Sequence, residues 1–291
     1  MANDGVAIVT RIALDTSLIN RAAPPGSMRY FALLYTPQEH RDAVTALYIV
    51  DAEIRESAQS VNHDVAHTRL QWWRQEIDRL VNGNPQHPAT RVLRERAATQ
   101  RGRFASLHEL LVAADADLSR MTYLNLRELR AYTSRSGGTI QELIAAQLLN
   151  AETMDEHTRA AANRIGAGVR NTEILRDVRQ DAYDGRLYLP LDELDQGKVA
   201  LEDLRAKQVS GSVKEVLRGF RSAIATELDT SIAALPPASR PSLRPLLVIA
   251  SLHRRLLDHI ARRDYDVASA RVELGPVEKP WIAWRAARKA G

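Results

Sequence analysis

Three carboxylates spaced four residues apart, Glu173, Asp177 and Asp181, lie in the stretch 170–190, RNTEILRDVRQDAYDGRLYLP. On a helix at about 100° per residue, steps of four drift slowly, so the three share one face. Like charges at i,i+4 repel, by a few tenths of a kcal/mol per pair. Such a row calls for counter-charge. Arg170, Arg176 and Arg179 offer it locally, and so would a hard divalent ion such as Mg2+, which takes oxygen ligands and binds substrate phosphates beside one or two carboxylates. The competing reading is a solvated helix face with ordinary ion pairs. Gly185 ends the predicted helix, and Pro190 biases Leu189 toward an extended backbone.

Other segments offer less. Residues 37–60 carry an apolar stripe, Ala43, Ala46, Leu47, Val50 and Ile54, with Asp51, Glu53 and Glu56 beside it; Asp51 and Arg55 form an i,i+4 pair. Trp72 and Trp73 read as core, with cation–π contact as the alternative. Gly137-Gly138 sits inside a helical pattern at a cost of roughly 1 kcal/mol per glycine, which signals a kink or a close approach. A ligand or tight helix packing would explain it equally well. The eight histidines show no metal-ligand spacing, and there is no nucleophile elbow, P-loop or dinucleotide fingerprint.

The elements that must position these residues are helical. Periodicity predicts helices near 28–35, 37–60, 64–82, 103–120, 125–150, 153–184, 212–235, 239–264 and 276–289, with a weaker one at 88–100. Breakers separate them at Thr36-Pro37, Asn82-Gly-Asn-Pro85, Pro88, Gly102, Gly185 to Pro190, Pro236-Pro237 and Gly275-Pro276. Strand-like alternation is almost absent. The expected architecture is all-α, a single bundle of long helices around a central cavity. Residues 1–26 read as a poorly ordered lead-in and 27–291 as one helical domain.

The chain has 291 residues, 45% apolar and 26% charged, with net charge +4 and no cysteine. That mild charge does not imply nucleic acid, and disulfides and thiolate chemistry are excluded. No apolar run approaches 18 residues, and the N-terminus does not read as a secretory signal. The expected location is cytoplasmic. The basic, tryptophan-bearing tail Lys279 to Lys289 either caps the bundle or touches a membrane peripherally.

The stretch Ile174-Leu-Arg-Asp-Val-Arg-Gln-Asp181 followed by Gly185-Arg-Leu-Tyr-Leu-Pro190 resembles the second aspartate-rich motif of the squalene/phytoene synthase family. Arg41 to Tyr48 resembles the helix leading into that family's first such motif. Asp117-Leu118, Glu128 to Tyr132 and Gly137-Gly138-Thr139 resemble its middle helices, and Pro245 to Trp284 its closing ones. The resemblance implies an isoprenoid (terpenoid) synthase type I fold and a head-to-head prenyltransferase. Two prenyl diphosphates, farnesyl or geranylgeranyl, would lie in an apolar cavity. Mg2+ would be held by Asp177 and Asp181, assisted by Glu173 and Glu56. Asp177 and Asp181 would be the catalytic pair, and Arg55, Tyr132, Arg176, Arg186 and Tyr188 would contact substrate.

The first motif departs from the family. Aligned through Ala46-Leu-Tyr48, its five positions fall on Arg55, Glu56, Ser57, Ala58 and Gln59, and only Glu56 keeps a carboxylate. A cation in place of a ligand weakens that metal site. Asp51 to Glu56 and Arg69 to Arg74 are similar to a divergent branch that includes the mitochondrial complex I assembly factor of squalene/phytoene synthase type. The alternative is therefore a catalytically impaired member acting as an assembly or lipid-binding factor, with a protein partner.

Overall fold

A computed structural model describes residues 14–96, 104–149 and 154–291. The helices, in chain order, are α1 Thr16–Ala22, α2 Met28–Leu34, α3 Gln38–Ala58, α4 His63–Val81, α5 Pro88–Arg96, α6 His108–Leu118, α7 Leu126–Thr133, α8 Thr139–Leu148, α9 Glu156–Tyr183, α10 Leu191–Gly197, α11 Leu201–Arg205, α12 Gly211–Ala234, α13 Arg244–Arg262 and α14 Glu278–Lys289. No strand occurs among the described residues.

The longest, α9, is the spine. Asp155 starts it, its carboxylate accepting from Thr158 N at 2.7 Å, as an N-cap should. At the other end Gly185 adopts φ +74°, and Arg186 N donates back to Asp181 O at 2.7 Å, a glycine-based C-terminal stop. Between these ends α9 packs against α8, α12 and α13. Ile165 and Val169 join one apolar cluster with α3 to α6 and α8. Ile174, Leu175 and Val178 join a second with α12, α13 and α14. The carboxylate row thus runs along the helix that ties both halves together. The stripe foreseen on α3 is buried as expected.

Gly137-Gly138 lies in a π-helical turn, Ser134–Gly138, between α7 and α8. A Cβ on Gly137 would stand 2.3 Å from Gly166 O of α9, and one on Gly166 would stand 2.3 Å from Gly137 O. Tight helix packing accounts for the pair. Gly166→Ala would press a methyl group into a carbonyl that cannot rotate away. We expect it to cost about 1–3 kcal/mol, read as a shift in denaturant midpoint at unchanged m-value.

Part of the expected lead-in is ordered: 16–22 forms α1, capped by Asp15, whose carboxylate accepts from Ser17 N at 2.8 Å. Leu18 and Ile19 pack on the first cluster, with Ala22 inside it. Three apolar side chains on two turns are enough to bury a short helix, yet too few to show periodicity. Residues 1–13 lie outside the described residues, as do parts of the expected segments 88–100, 103–120 and 125–150. The short helices α10 and α11 were not foreseen. Trp73 is buried and Trp72 half-exposed, edge-to-face at 5.2 Å. On α14, Ala283, Ala286 and Ala287 face the second cluster, while Trp281 and Trp284 stack at 5.1 Å on the exposed side. Among the described residues no helix is long and apolar enough to cross a membrane.

Candidate functional site

The carboxylates of α9 do not share one environment. Glu173 points toward α3, where Arg55 Nη1 lies 3.4 Å away, and Arg170 Nη1 of its own helix lies at 3.5 Å. Burial pushes its carboxyl up, but Arg55 and Arg170 outweigh that and hold it well below the usual range. Arg55 is a hub. Its Nε donates to Asp51 at 2.9 Å and its Nη2 to Ser136 O at 2.8 Å. Asp51, 1% exposed, also pairs with Arg29. All three guanidinium nitrogens of Arg55 are therefore committed within the protein.

Asp177 is held by two arginines. Arg176 reaches it at 2.9 and 2.5 Å, and Arg271, from the segment between α13 and α14, at 2.9 and 3.0 Å. Burial opposes ionisation, but these two keep the carboxyl below its ordinary value. Asp181 differs. Among the described residues its carboxylate has no hydrogen bond and no ion pair within 4.0 Å. Burial, with Asp177 adding to it, pushes the group up to about 7 against the pull of Arg170 and Arg186.

Behind this row lies a tyrosine cluster. Tyr132 and Tyr188 both donate to Asp117 Oδ1, at 2.8 and 2.7 Å. Arg170 Nη2 donates to the Tyr132 hydroxyl at 2.8 Å and its guanidinium lies over the Tyr188 ring at 5.1 Å. Burial raises all three phenols of Tyr123, Tyr132 and Tyr188, that of Tyr132 to about 12, so they act as neutral donors. Tyr132 and Tyr188 were expected to meet substrate. Both hold Asp117, which lines the cavity wall.

That cavity, of about 980 Å3, opens at the C-terminal end of α9. Arg120, Arg176, Arg179, Arg186, Arg205 and Arg271 line it, against Asp117, Asp177, Asp181 and Asp184. A smaller pocket of about 380 Å3 lies across the Arg176–Asp177 pair, which borders both. Glu56 and Glu173 line it together with Arg21, Arg29, Arg55 and Arg170. Between α3 and α6, beside Asp51, Arg55 and Asp117, lies a space of only about 10 Å3. Of the expected residues, Arg176, Asp177, Asp181 and Arg186 meet at the large cavity, and Arg55, Glu56 and Glu173 at the small one. Arg170 supplies counter-charge to the row as expected, Asp117 was expected only as part of a middle helix, and Arg271 was not foreseen.

A family description, squalene/phytoene synthase, matches residues 23–278. The chain belongs to the squalene/phytoene synthase family. Phytoene synthase from Arthrospira platensis is 28% identical over 261 residues, covering 83% of this chain and 82% of that one. A chloroplastic phytoene synthase 2 of Zea mays is 27% identical over 250 residues, 84% of this chain and 62% of the maize protein. The chain thus spans about three fifths of that relative's length. Among solved structures, a dehydrosqualene synthase superposes with TM-score 0.75 at 17% identity, covering 90% of each chain. A squalene synthase from Alicyclobacillus acidocaldarius gives 0.71 at 20% identity, over 86% of this chain and 94% of the other. These likenesses place the fold in the all-α isoprenoid synthase class.

Squalene/phytoene synthase membership implies Mg2+, and the residues at hand do not fit it. A hard dication needs several anionic oxygens free to converge. Asp177 has its oxygens on Arg176 and Arg271, Glu173 faces Arg55 and Arg170, and Glu56 lies 3.6 Å from Arg21. Asp181 lines the large cavity, which Glu56 and Glu173 do not. Among the described residues no three acidic or histidine side chains gather as a metal-binding group.

Proposed function

We propose that this chain binds prenyl diphosphates at the large cavity and joins them as a squalene/phytoene-synthase-like prenyltransferase of isoprenoid biosynthesis. One observation carries the reading: the second-motif residues Arg176, Asp177, Asp181 and Arg186 converge on a space of about 980 Å3 whose wall is rich in guanidinium groups. That suits a diphosphate, since guanidinium forks match phosphate oxygens in geometry as well as charge. Breaking the allylic C–O bond sends an electron pair to the departing diphosphate. Arg176 and Arg186 would stabilise that charge where it develops. Asp177, already neutralised by its two arginines, would set the position of Arg176.

A second reading rests on its own observation. Arg55 occupies the family's first motif, and the space lined by Arg55, Asp51 and Asp117 holds only about 10 Å3. A member altered at that motif would hold a prenyl lipid at the cavity mouth without condensing it, and would act as an assembly or lipid-binding factor. Incubation with farnesyl or geranylgeranyl diphosphate, with and without Mg2+, separates the two. Pyrophosphate release with a coupled C–C product is the expected outcome. Binding with no release would favour the second reading.

A further inference from the structure

The charge of the large cavity is the reverse of what an empty metal site needs. A site that recruits a dication is anionic before the ion arrives. Here six arginines face four aspartates, an excess of two positive charges among ionised side chains. Asp117 is occupied by two tyrosine hydroxyls, and Asp177 by two guanidinium groups. Of the six, Arg186 and Arg271 are the best placed to meet an incoming anion. Arg186 meets a carboxylate only at 4.0 Å, at Asp184, and its Nε is buried with no hydrogen-bond partner among the described residues. The fold has placed this guanidinium without satisfying it, and an unfilled buried donor is costly unless a partner arrives. Arg271 is 57% exposed and comes from an element separate from α9. If it leaves Asp177, Arg176 still covers that carboxylate at 2.9 and 2.5 Å. Arg271 can therefore turn to an incoming anion without stranding a buried charge.

We propose that this chain holds the diphosphate group of its ligand with fixed guanidinium cations, Arg186 and Arg271 foremost, in place of a divalent metal. The proposal rests on the reading of the cavity as a prenyl-diphosphate site and changes what does the holding. Arginine supplies planar, paired donors that remain charged at any working pH. Because the attraction acts between charges near solvent, it weakens as salt rises.

The test is calorimetric titration of inorganic pyrophosphate, and of a thio-analogue of farnesyl diphosphate, into the full chain. Each is run in EDTA and in Mg2+. The expected dissociation constants agree within about threefold in the two buffers, and rise with added salt. Arg271→Gln and Arg186→Gln are each expected to weaken binding by about tenfold or more, a loss typical of a charge-assisted contact. Arg271 is exposed, so its variant folds even if the Arg186 variant does not. Asp181→Asn carries the opposite sign under the two accounts. With arginines holding the diphosphate, removal of a nearby negative charge tightens binding. With a metal held by Asp181, it abolishes binding. Binding that appears only with Mg2+ and is lost in Asp181→Asn would overturn the guanidinium proposal and leave the prenyl-diphosphate reading standing. An absence of binding in both buffers would overturn both.

Discussion

Arg55→Ala is expected to lower the free energy of unfolding by about 3 kcal/mol. Removal of one partner from a buried ion pair typically costs 3–5 kcal/mol, because a desolvated charge is left behind. Arg55 serves Asp51, Glu173 and the Ser136 carbonyl at once. The lower end applies because Arg29 stays with Asp51 and Arg170 with Glu173. For a chain of this size the melting temperature should fall by roughly 5 °C. Arg55→Asp, which restores the acidic residue the family's motif has there, should be worse, since it sets a third carboxylate beside two whose counter-charge it removes. The pH dependence has a definite sign. Glu173 has its folded-state value depressed, so its stabilisation is full above the unfolded value near 4.3 and is lost as pH falls through the folded one. In Arg55→Ala the folded value rises toward the unfolded one, and the loss of stability in acid is shallower than in the parent. Urea denaturation of both proteins from pH 3 to pH 7 reads both effects. Equal midpoints for parent and variant at pH 7 would show that Arg55 is not a hub.

Much of this arrangement was legible in the chain, and the exceptions share a cause. The long helices announced themselves by apolar spacing and by Pro and Gly at their ends, because a helix buries its stripe locally and is stopped locally. The second motif was legible for the same reason: its carboxylates lie within three turns of one helix, and the rest of it follows directly in the chain. Gly137-Gly138 was readable as a close approach, although only the partner carbonyl of Gly166 decides between ligand and helix. The tyrosine cluster was not readable as a unit. Asp117, Tyr132, Arg170 and Tyr188 come from α6, α7, α9 and the turn after it, and nothing in their spacing brings them together. Arg271 stands 94 residues from Asp177 and falls in a segment with no periodicity. The role of Arg55 was half visible. Its i,i+4 pairing with Asp51 was expected, whereas the third partner, the Ser136 carbonyl, becomes available through the π-helical turn that the glycine pair permits. Local rules thus placed the α9 face, while the identity of each carboxylate's counter-charge depended on packing between elements.

Asp181→Asn should stabilise the protein, by roughly 2–4 kcal/mol above pH 8. Burial, reinforced by Asp177, lifts the Asp181 carboxyl to about 7, some three units above an ordinary aspartate, and each unit is worth about 1.4 kcal/mol. Because the folded value exceeds the unfolded one, the folded state binds the extra proton between about pH 4 and pH 7. Stability attributable to this group therefore falls as pH rises across that window and is lowest above it. Asparagine keeps the shape and loses the charge. The gap between variant and parent should be small near pH 4 and complete above pH 8, measured by denaturant midpoints at each pH. A variant less stable than the parent at pH 8 would mean that Arg170 and Arg186 more than offset the burial of this carboxylate. The expected gain has a functional counterpart. Asp181 is the one member of the α9 row, among the described residues, without a close counter-charge, so folding does not require its negative charge. A site that spends stability on an unpaired group commonly does so for a ligand. Here that ligand brings its own negative charge into a cavity already rich in arginine. Partial protonation of Asp181 near neutral pH lessens the repulsion between the two, so diphosphate affinity in the parent should weaken as pH rises from 6 to 8 and should lose that dependence in Asp181→Asn. Pyrophosphate carries its own titration in this range, and the parent-minus-variant difference cancels it.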